Sequence, residues 1–213
     1  MRAGHLRRGH SLVELAVALT LLLVVFGLPA MLLDTSSRAF STGARSSEVD
    51  LAARRALDSI AGRLARSGAE ELVLVPGEPN SSVVFRVATG FAAGVIVWGN
   101  DERIELQIEP GETVDGADND GDGVVDEHRL VWTRDLGLAT ERSSVLCTRV
   151  RRSLEGEIAG NGLDDNGNGL VDEAGLMITL EGEEARIALT VERRDAFGTV
   201  IVHTAQRNVA LRN

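Results

Sequence analysis

Two short stretches of the chain place oxygen-bearing side chains at alternate positions. Asp115-Gly116-Ala117-Asp118-Asn119-Asp120-Gly121-Asp122-Gly123-Val124-Val125-Asp126-Glu127 aligns without gaps with Asn161-Gly162-Leu163-Asp164-Asp165-Asn166-Gly167-Asn168-Gly169-Leu170-Val171-Asp172-Glu173. The blocks lie 46 residues apart and seven of thirteen positions are identical, so what repeats is a local structure rather than a composition. Oxygens at alternate residues of a tight loop can turn toward one centre, a following Gly permits the sharp turn, and the next backbone carbonyl adds another oxygen. This is the donor set of a hard cation. In the first loop it proposes Asp118, Asp120, Asp122 and Asp126, with the carbonyl of Val124. In the second it proposes Asp164, Asn166, Asn168 and Asp172, with the carbonyl of Leu170. Glu127 and Glu173 stand as sixth or bidentate ligands. Irregular all-oxygen loops suit calcium better than magnesium, and the two Asn replacements predict weaker binding in the second loop. The competing reading is a pair of solvated turns, since Asp and Gly favour turns without any metal.

The pattern resembles the first half of an EF-hand and, more closely, the loops of thrombospondin type 3 and dockerin-like calcium repeats. It departs from an EF-hand at the twelfth loop position, where Arg129 and Gly175 stand instead of Glu. No EF-hand helix pair is therefore implied.

The elements that position these loops begin with a hydrophobic N-terminal segment. Met1–Gly9 carries Arg2, Arg7 and Arg8 and no acid, and Leu12–Leu33 is a run of 22 residues whose only charge is Glu14. At about 1.5 Å per residue the run makes roughly 33 Å of helix, enough to cross a hydrocarbon core of about 30 Å. The preceding arginines predict a cytoplasmic N-terminus and an external remainder. A cleaved secretory signal would need a small-residue site after the run, which Ala30 offers weakly. Neither that reading nor a plain anchor accounts for Glu14, because a carboxylate in a spanning helix costs on the order of 2.5–3.5 kcal/mol at its centre.

Gly9-His10-Ser11-Leu12-Val13-Glu14-Leu15 resembles the signature of type IV prepilins and type II secretion pseudopilins: a basic leader ending in Gly, with Glu fifth in the mature chain. The resemblance implies cleavage by prepilin peptidase between Gly9 and His10, with the helix left in the inner membrane. His10 stands where the family has Phe, often N-methylated. Glu14 would then compensate the α-amino group of a neighbouring subunit during assembly. The implied partners are other pilins or pseudopilins, the peptidase and the inner-membrane assembly platform.

Beyond Leu33 the helical pattern continues. Leu51, Ala52, Ala56, Leu57, Ile60, Ala61 and Leu64 form an apolar stripe with arginines between them, predicting an amphipathic helix over 34–68 that ends near Ser67-Gly68. Arg54–Ala69 is similar to the post-membrane segment of PilW-type minor pilins and J-type pseudopilins. From Gly68 the period becomes two. Short strands are expected at Glu71–Val75, Ser82–Val87, Gly94–Trp98, Arg103–Ile108, Arg129–Thr133, Val145–Val150, Leu176–Leu180, Arg186–Glu192 and Thr199–His203. Val209–Asn213 also looks like the last strand of PilW-type proteins. The expected class is α+β, a long N-terminal helix laid on an antiparallel sheet. The expected organisation is leader 1–9, membrane helix 10–33, amphipathic helix 34–68 and a periplasmic head 69–213 with acidic loops at 115–127 and 161–173.

Composition narrows the function. The net charge is −10, and loss of the leader's three arginines takes it to −13, which disfavours nucleic acid. Cys147, the single cysteine, cannot form an internal disulfide and reads as a buried small hydrophobe. His5, His10, His128 and His203 show no metal-ligand spacing, and no Ser-His-Asp or Cys-His arrangement supports a nucleophile. Asp195 reads as a turn residue. The expectation is a non-enzymatic minor pilin or pseudopilin with a calcium-stabilised head, assembled through its helix into a filament. The alternatives are a type II secretion pseudopilin at the pseudopilus tip, and a membrane-anchored calcium-binding adhesin or enzyme.

Overall fold

The protein is described by a computed structural model covering residues 11–75 and 77–212, so the expected cleavage positions Gly9 and His10 lie outside the described residues. The chain divides after Ser41 into two units. Helix α1 is assigned over Leu12–Leu64, without interruption at Pro29.

In the first unit, every residue from Leu12 to Phe40 is exposed. One 18-residue window reaches a mean hydropathy of 2.6 with none of it buried, long and apolar enough to cross a membrane. Its polar groups are satisfied locally, as a hydrocarbon environment requires. The Thr20 hydroxyl donates to the Ala16 carbonyl at 2.7 Å, and Thr35 to Met31 at 2.8 Å. At the start of the helix Ser11 and Glu14 form a reciprocal capping box. The Glu14 N–H donates to Ser11 Oγ at 3.2 Å, and the Ser11 N–H donates to Glu14 Oε2 at 3.0 Å.

In the second unit, the later turns of α1 lie on an antiparallel sheet. The buried stripe is Val49, Ala53, Ala56, Leu57, Ile60, Ala61 and Leu64. Leu51, expected in the stripe, is 48% exposed, and Ala52 is half-buried. The 3.6-residue period runs from Val49 through Ala53, so the face is rotated from the one read off the sequence. After Leu64 the chain tightens through i−3 bonds from Arg66 and Ser67, near the expected end. A 3₁₀ turn follows at Ala69–Glu71.

Among the described residues the strands are β1 Ser82–Ala92, β2 Val95–Ile108, β3 His128–Arg134, β4 Arg142–Val150, β5 Leu176–Glu181, β6 Glu184–Arg194 and β7 Val200–Ala210. They form one sheet in the order β1-β2-β3-β4-β6-β5, with β7 also paired to β6. Strand β6 pairs with β7 along its whole length, and with β5 only from Glu184 to Leu189. Beyond β5, it meets β4 through a single ladder pair, Val150 with Val191. The α+β class expected from the sequence is the class observed.

Two strand expectations change. Gly94–Trp98 and Arg103–Ile108 are one strand, β2, which runs straight through Gly99-Asn100-Asp101. A Cβ at Gly99 would lie 3.0 Å from the Thr89 methyl and 3.3 Å from the Val87 carbonyl. Glycine here thus allows close approach of β1, where the register shifts between Arg86 and Gly90. Glu71–Val75 is not a strand; it holds the end of the 3₁₀ turn and one bridge, Val73 with Val84.

The core lies between α1 and the sheet. Phe85, Ile60, Leu64, Ile104, Leu130, Ile178, Ile187 and Leu189 are fully buried there, and each large aliphatic contributes roughly 1.5–3 kcal/mol by leaving water. Arg63 stacks its guanidinium 3.8 Å from the Trp132 ring centroid, and Trp132 Nε1 donates to Glu102 at 2.6 Å. A smaller cluster of Leu154, Met177 and Ala188, joined by Leu170, lies apart from this core. Leu176 and Ile178 join the main core while Met177 joins the smaller cluster, so β5 is covered on both faces.

Gly175 sits where these layers meet. A Cβ there would fall on the backbone carbonyl of Arg151, which cannot yield like a side-chain tip. Gly175→Ala should cost at least the ~1–3 kcal/mol of an overpacked core site. Gly62→Ala, in α1 with nothing within 4 Å of the added methyl, should be neutral or stabilising by up to about 1 kcal/mol. Thermal unfolding of both variants in detergent checks the contrast, and equal melting temperatures would contradict it.

Candidate metal centre

Both acidic loops connect strands. The first spans residues 109–127 between β2 and β3, and the second spans 151–175 between β4 and β5. Their backbones repeat along with their sequences. Gly123 and Gly169 have φ of 93° and 90°, and the non-glycine residues Asp126 and Asp172 have φ of 54° and 55°. A left-handed Asp is costly enough that the same choice in both loops marks one motif.

The side chains organise each loop identically. Asp118 Oδ1 accepts from the Gly121 N–H at 2.7 Å and Oδ2 from Gly123 at 2.9 Å; Asp164 does the same with Gly167 at 2.7 Å and Gly169 at 2.8 Å. Asp120 and Asp122 accept from the N–H two residues on, at 3.0 Å each, and Asn166 and Asn168 repeat this at 3.0 and 2.9 Å. Asp126 Oδ1 accepts from the Asp115 and Gly116 N–H groups, both at 2.9 Å. Asp172 likewise takes Asn161 and Gly162, at 2.9 Å each. Asp126 and Asp172, expected among the ligands, thus use their carboxylates to clasp the start of each loop to its end.

The structure brings together two overlapping groups of carboxylates in the first loop. One oxygen from each of Asp118, Asp120 and Asp122 lies within 4.8 Å of the others, and the same holds for Glu112, Asp120 and Glu127. Oxygens on opposite sides of a calcium ion at about 2.4 Å are themselves about 4.8 Å apart, so the spacing suits one ion. Without a cation, two like charges at that distance repel by roughly 3–4 kcal/mol at an effective dielectric of about 20.

A separate observation shows that this is more than an exposed acidic turn. Glu127 is fully buried, and neither of its oxygens has a hydrogen-bond partner. Glu112 is 7% exposed; its Oε1 accepts from the Asn119 and Asp120 N–H groups at 2.9 Å each, while its Oε2 is buried without a partner. Buried carboxylate oxygens without donors require a proton or a cation. In the metal-free site burial, then the neighbouring charges of Asp122, Glu112 and Asp120, push the Glu127 carboxyl up from 4.5 to about 7, favouring the protonated form below that pH. An all-oxygen set of this charge and irregular shape fits calcium.

The second loop repeats the arrangement with less charge. Glu173 is 1% and Glu157 4% exposed, and each leaves Oε2 buried without a partner. Glu157 Oε1 accepts from the Asn166 N–H at 2.8 Å, and Glu173 Oε1 accepts from Asn168 Nδ2 at 2.5 Å. Val124 is buried and Leu170 half-buried.

Glu112 and Glu157 lie outside the repeat that the sequence displays, six residues before Asp118 and seven before Asp164. Their unequal offsets remove them from a gap-free alignment, which is why no sequence signal marked them.

Arg149 forms the polar wall of the first loop. Its Nε donates to Asp122 Oδ2 at 2.5 Å, and its backbone N–H donates to Glu109 at 3.0 Å. The hydrogen bond to Asp122 raises the guanidinium pKa further, so this cation is permanent. Elsewhere in the head, Cys147 is buried in β4, and burial pushes its thiol up to about 11, far from a reactive thiolate. His203 in β7 places Nε2 2.8 Å from Asp50 Oδ1. Asp195 is a turn residue as expected, accepting from the Phe197 and Thr199 N–H groups at 2.8 Å each. No family model, curated protein or solved structure matches the chain.

The raised Glu127 carboxyl has a signed consequence for the metal-free protein. The folded state holds a proton between pH 4.5 and about 7 that the unfolded state has released, so this group's contribution to stability falls as pH rises through that window. Chelator-treated protein should lose on the order of 3 kcal/mol through Glu127 between pH 4.5 and 7.5. Glu127→Gln should be less sensitive by that amount. Parallel melting curves for the two proteins across the window would refute the assignment.

Proposed function

We propose that this chain is a non-enzymatic minor pilin or pseudopilin of a type IV pilus or related secretion filament. It is trimmed after Gly9 by prepilin peptidase, held in the inner membrane by α1, and assembled through that helix with other pilins or pseudopilins on the inner-membrane platform. The head is periplasmic until assembly carries it into the filament, and calcium bound in the two loops stabilises it. The observation that carries this reading is the combination of an exposed apolar helix beginning at Leu12, with Glu14 in its first turn, and later turns packed on an antiparallel sheet.

The role of Glu14 has two parts that can be separated. Within the chain it completes a capping box with Ser11, worth on the order of 1 kcal/mol to the helix start. In the filament its charge neutralises the new α-amino group at His10 of a neighbouring subunit in a low-dielectric environment. A glutamine preserves the box but removes the charge. Glu14→Gln should therefore insert in the membrane normally yet fail to enter filaments, as Glu14→Ala should. Normal filament incorporation of Glu14→Gln would leave capping as the residue's only role and count against the proposal.

Processing gives the more direct test. Intact-mass measurement of the chain expressed with prepilin peptidase should show loss of Met1–Gly9, and the unprocessed mass should persist in cells lacking the enzyme. An unchanged mass in both strains would favour a membrane-anchored calcium-binding adhesin. A type II secretion pseudopilin, at the pseudopilus tip, would pass the processing test and is distinguished by co-purification with secretion rather than pilus components.

A further inference from the structure

We infer that each acidic loop is one half of a closed calcium site whose other half is a pair of buried glutamates flanking the loop: Glu112 with Glu127 in the first site, and Glu157 with Glu173 in the second. This rests on the calcium reading of the loops and extends it to two ligands that lie outside the repeat.

All four glutamates are more than nine-tenths buried. Together they hold five buried carboxylate oxygens with no hydrogen-bond partner: both of Glu127 and one each of Glu112, Glu157 and Glu173. A glutamate buried for packing alone would leave the core or engage a donor with each oxygen. Here the preceding glutamate divides its oxygens. Oε1 is fixed on loop N–H groups, of Asn119 and Asp120 in the first site and Asn166 in the second, while Oε2 is left over. That division holds the carboxylate rigidly and leaves one oxygen for a ligand. In the first site one oxygen of Glu112 lies within 4.8 Å of one each from Asp120 and Glu127, and the same spacing joins Asp118, Asp120 and Asp122.

The first site thus offers five carboxylates, Glu112, Asp118, Asp120, Asp122 and Glu127. In the second the corresponding carboxylates are Glu157, Asp164 and Glu173, with Asn166 and Asn168; without an ion Asn168 turns its Nδ2 to Glu173 Oε1, and their convergence on one ion is inferred from the first site. A site of this charge and coordination number takes a divalent cation of calcium's size, and the first binds it more tightly. The flanking glutamates also explain how loops without the twelfth-position Glu of an EF-hand complete their coordination: the missing ligand comes from before the loop as well as from Glu127 or Glu173.

Calcium titration of the full chain in detergent, after chelator treatment, tests this by calorimetry. Wild type should bind two calcium ions per chain. Glu112→Gln keeps an acceptor for the Asn119 and Asp120 N–H groups and turns an amide NH₂ toward the ion, so it should weaken the tighter site at least tenfold and leave the weaker one within twofold. Glu157→Gln should do the reverse. In each variant the untouched site serves as the control for folding. Asp120→Ala and Asp164→Ala separate the two levels of the argument. If they abolish binding while both Gln variants bind as wild type does, the loops bind calcium without the flanking glutamates and the inference fails. If wild type takes up no calcium, the inference and the calcium reading fall together.

Discussion

A carboxylate oxygen buried without a donor is the constraint around which the head is organised, because each such group costs several kcal/mol until a proton or cation meets it. Glu112, Glu127, Glu157 and Glu173 impose that constraint at both ends of the two long connections. Those connections border the weakest line in the sheet, where β4 and β6 share only the Val150–Val191 pair. On one side the first loop reaches this line through the Asp122–Arg149 ion pair, and Gly123 lies against the Arg194 side chain at the end of β6. On the other, the Glu155 N–H donates to the Thr190 hydroxyl, and the Thr190 N–H donates to the Gly175 carbonyl. The connections that carry the glutamates therefore also bridge the joint between the two parts of the sheet.

The helix divides its work by surface chemistry. Its first turns are apolar on every side, which suits hydrocarbon or other helices of the same kind and gives no stable aqueous surface. Its later turns confine apolar residues to one stripe, and Ala53, Ala56 and Ala61 in that stripe let the helix approach the sheet closely. Beside the stripe, the ion pair of Arg54 with Asp50 at 2.6 Å is solvent-accessible and contributes little to stability. The helix is fixed to the sheet by Ile60, Leu64 and the Arg63–Trp132 stack, and not by that pair.

Much of this was legible in the sequence. The change of period at Gly68, the apolar run from Leu12 and the repeat of Asp118 and Asp164 led to the α+β class, the membrane-compatible helix and the two loops. The errors have local causes. Gly99-Asn100-Asp101 reads as a break because those residues favour turns, yet Gly99 is where a side chain would crowd the Thr89 methyl and Val87 carbonyl of β1. Leu51 reads as core by its spacing from the apolar residues that follow, but the true stripe is set by Val49 and Ala53, whose spacing competes with it over the same turns. Glu14 reads as an assembly residue, and the capping box it forms with Ser11 three residues earlier goes unread beside that role.

The sequence by itself determined the periodicities and the donor types, since these depend on residue identity and near-neighbour spacing alone. It also carried the shared loop backbone, because the Asx turns and the left-handed Asp126 and Asp172 follow from interactions within a dozen residues. Only the tertiary structure decided which acids lose water. Burial of Glu112 and Glu157 depends on how the connections fold back beside strands distant in sequence, and Leu170 covers a second face of β5 for the same reason. Desolvation is a property of everything packed around a group, so no local pattern could distinguish these glutamates from the many acids that remain in solvent.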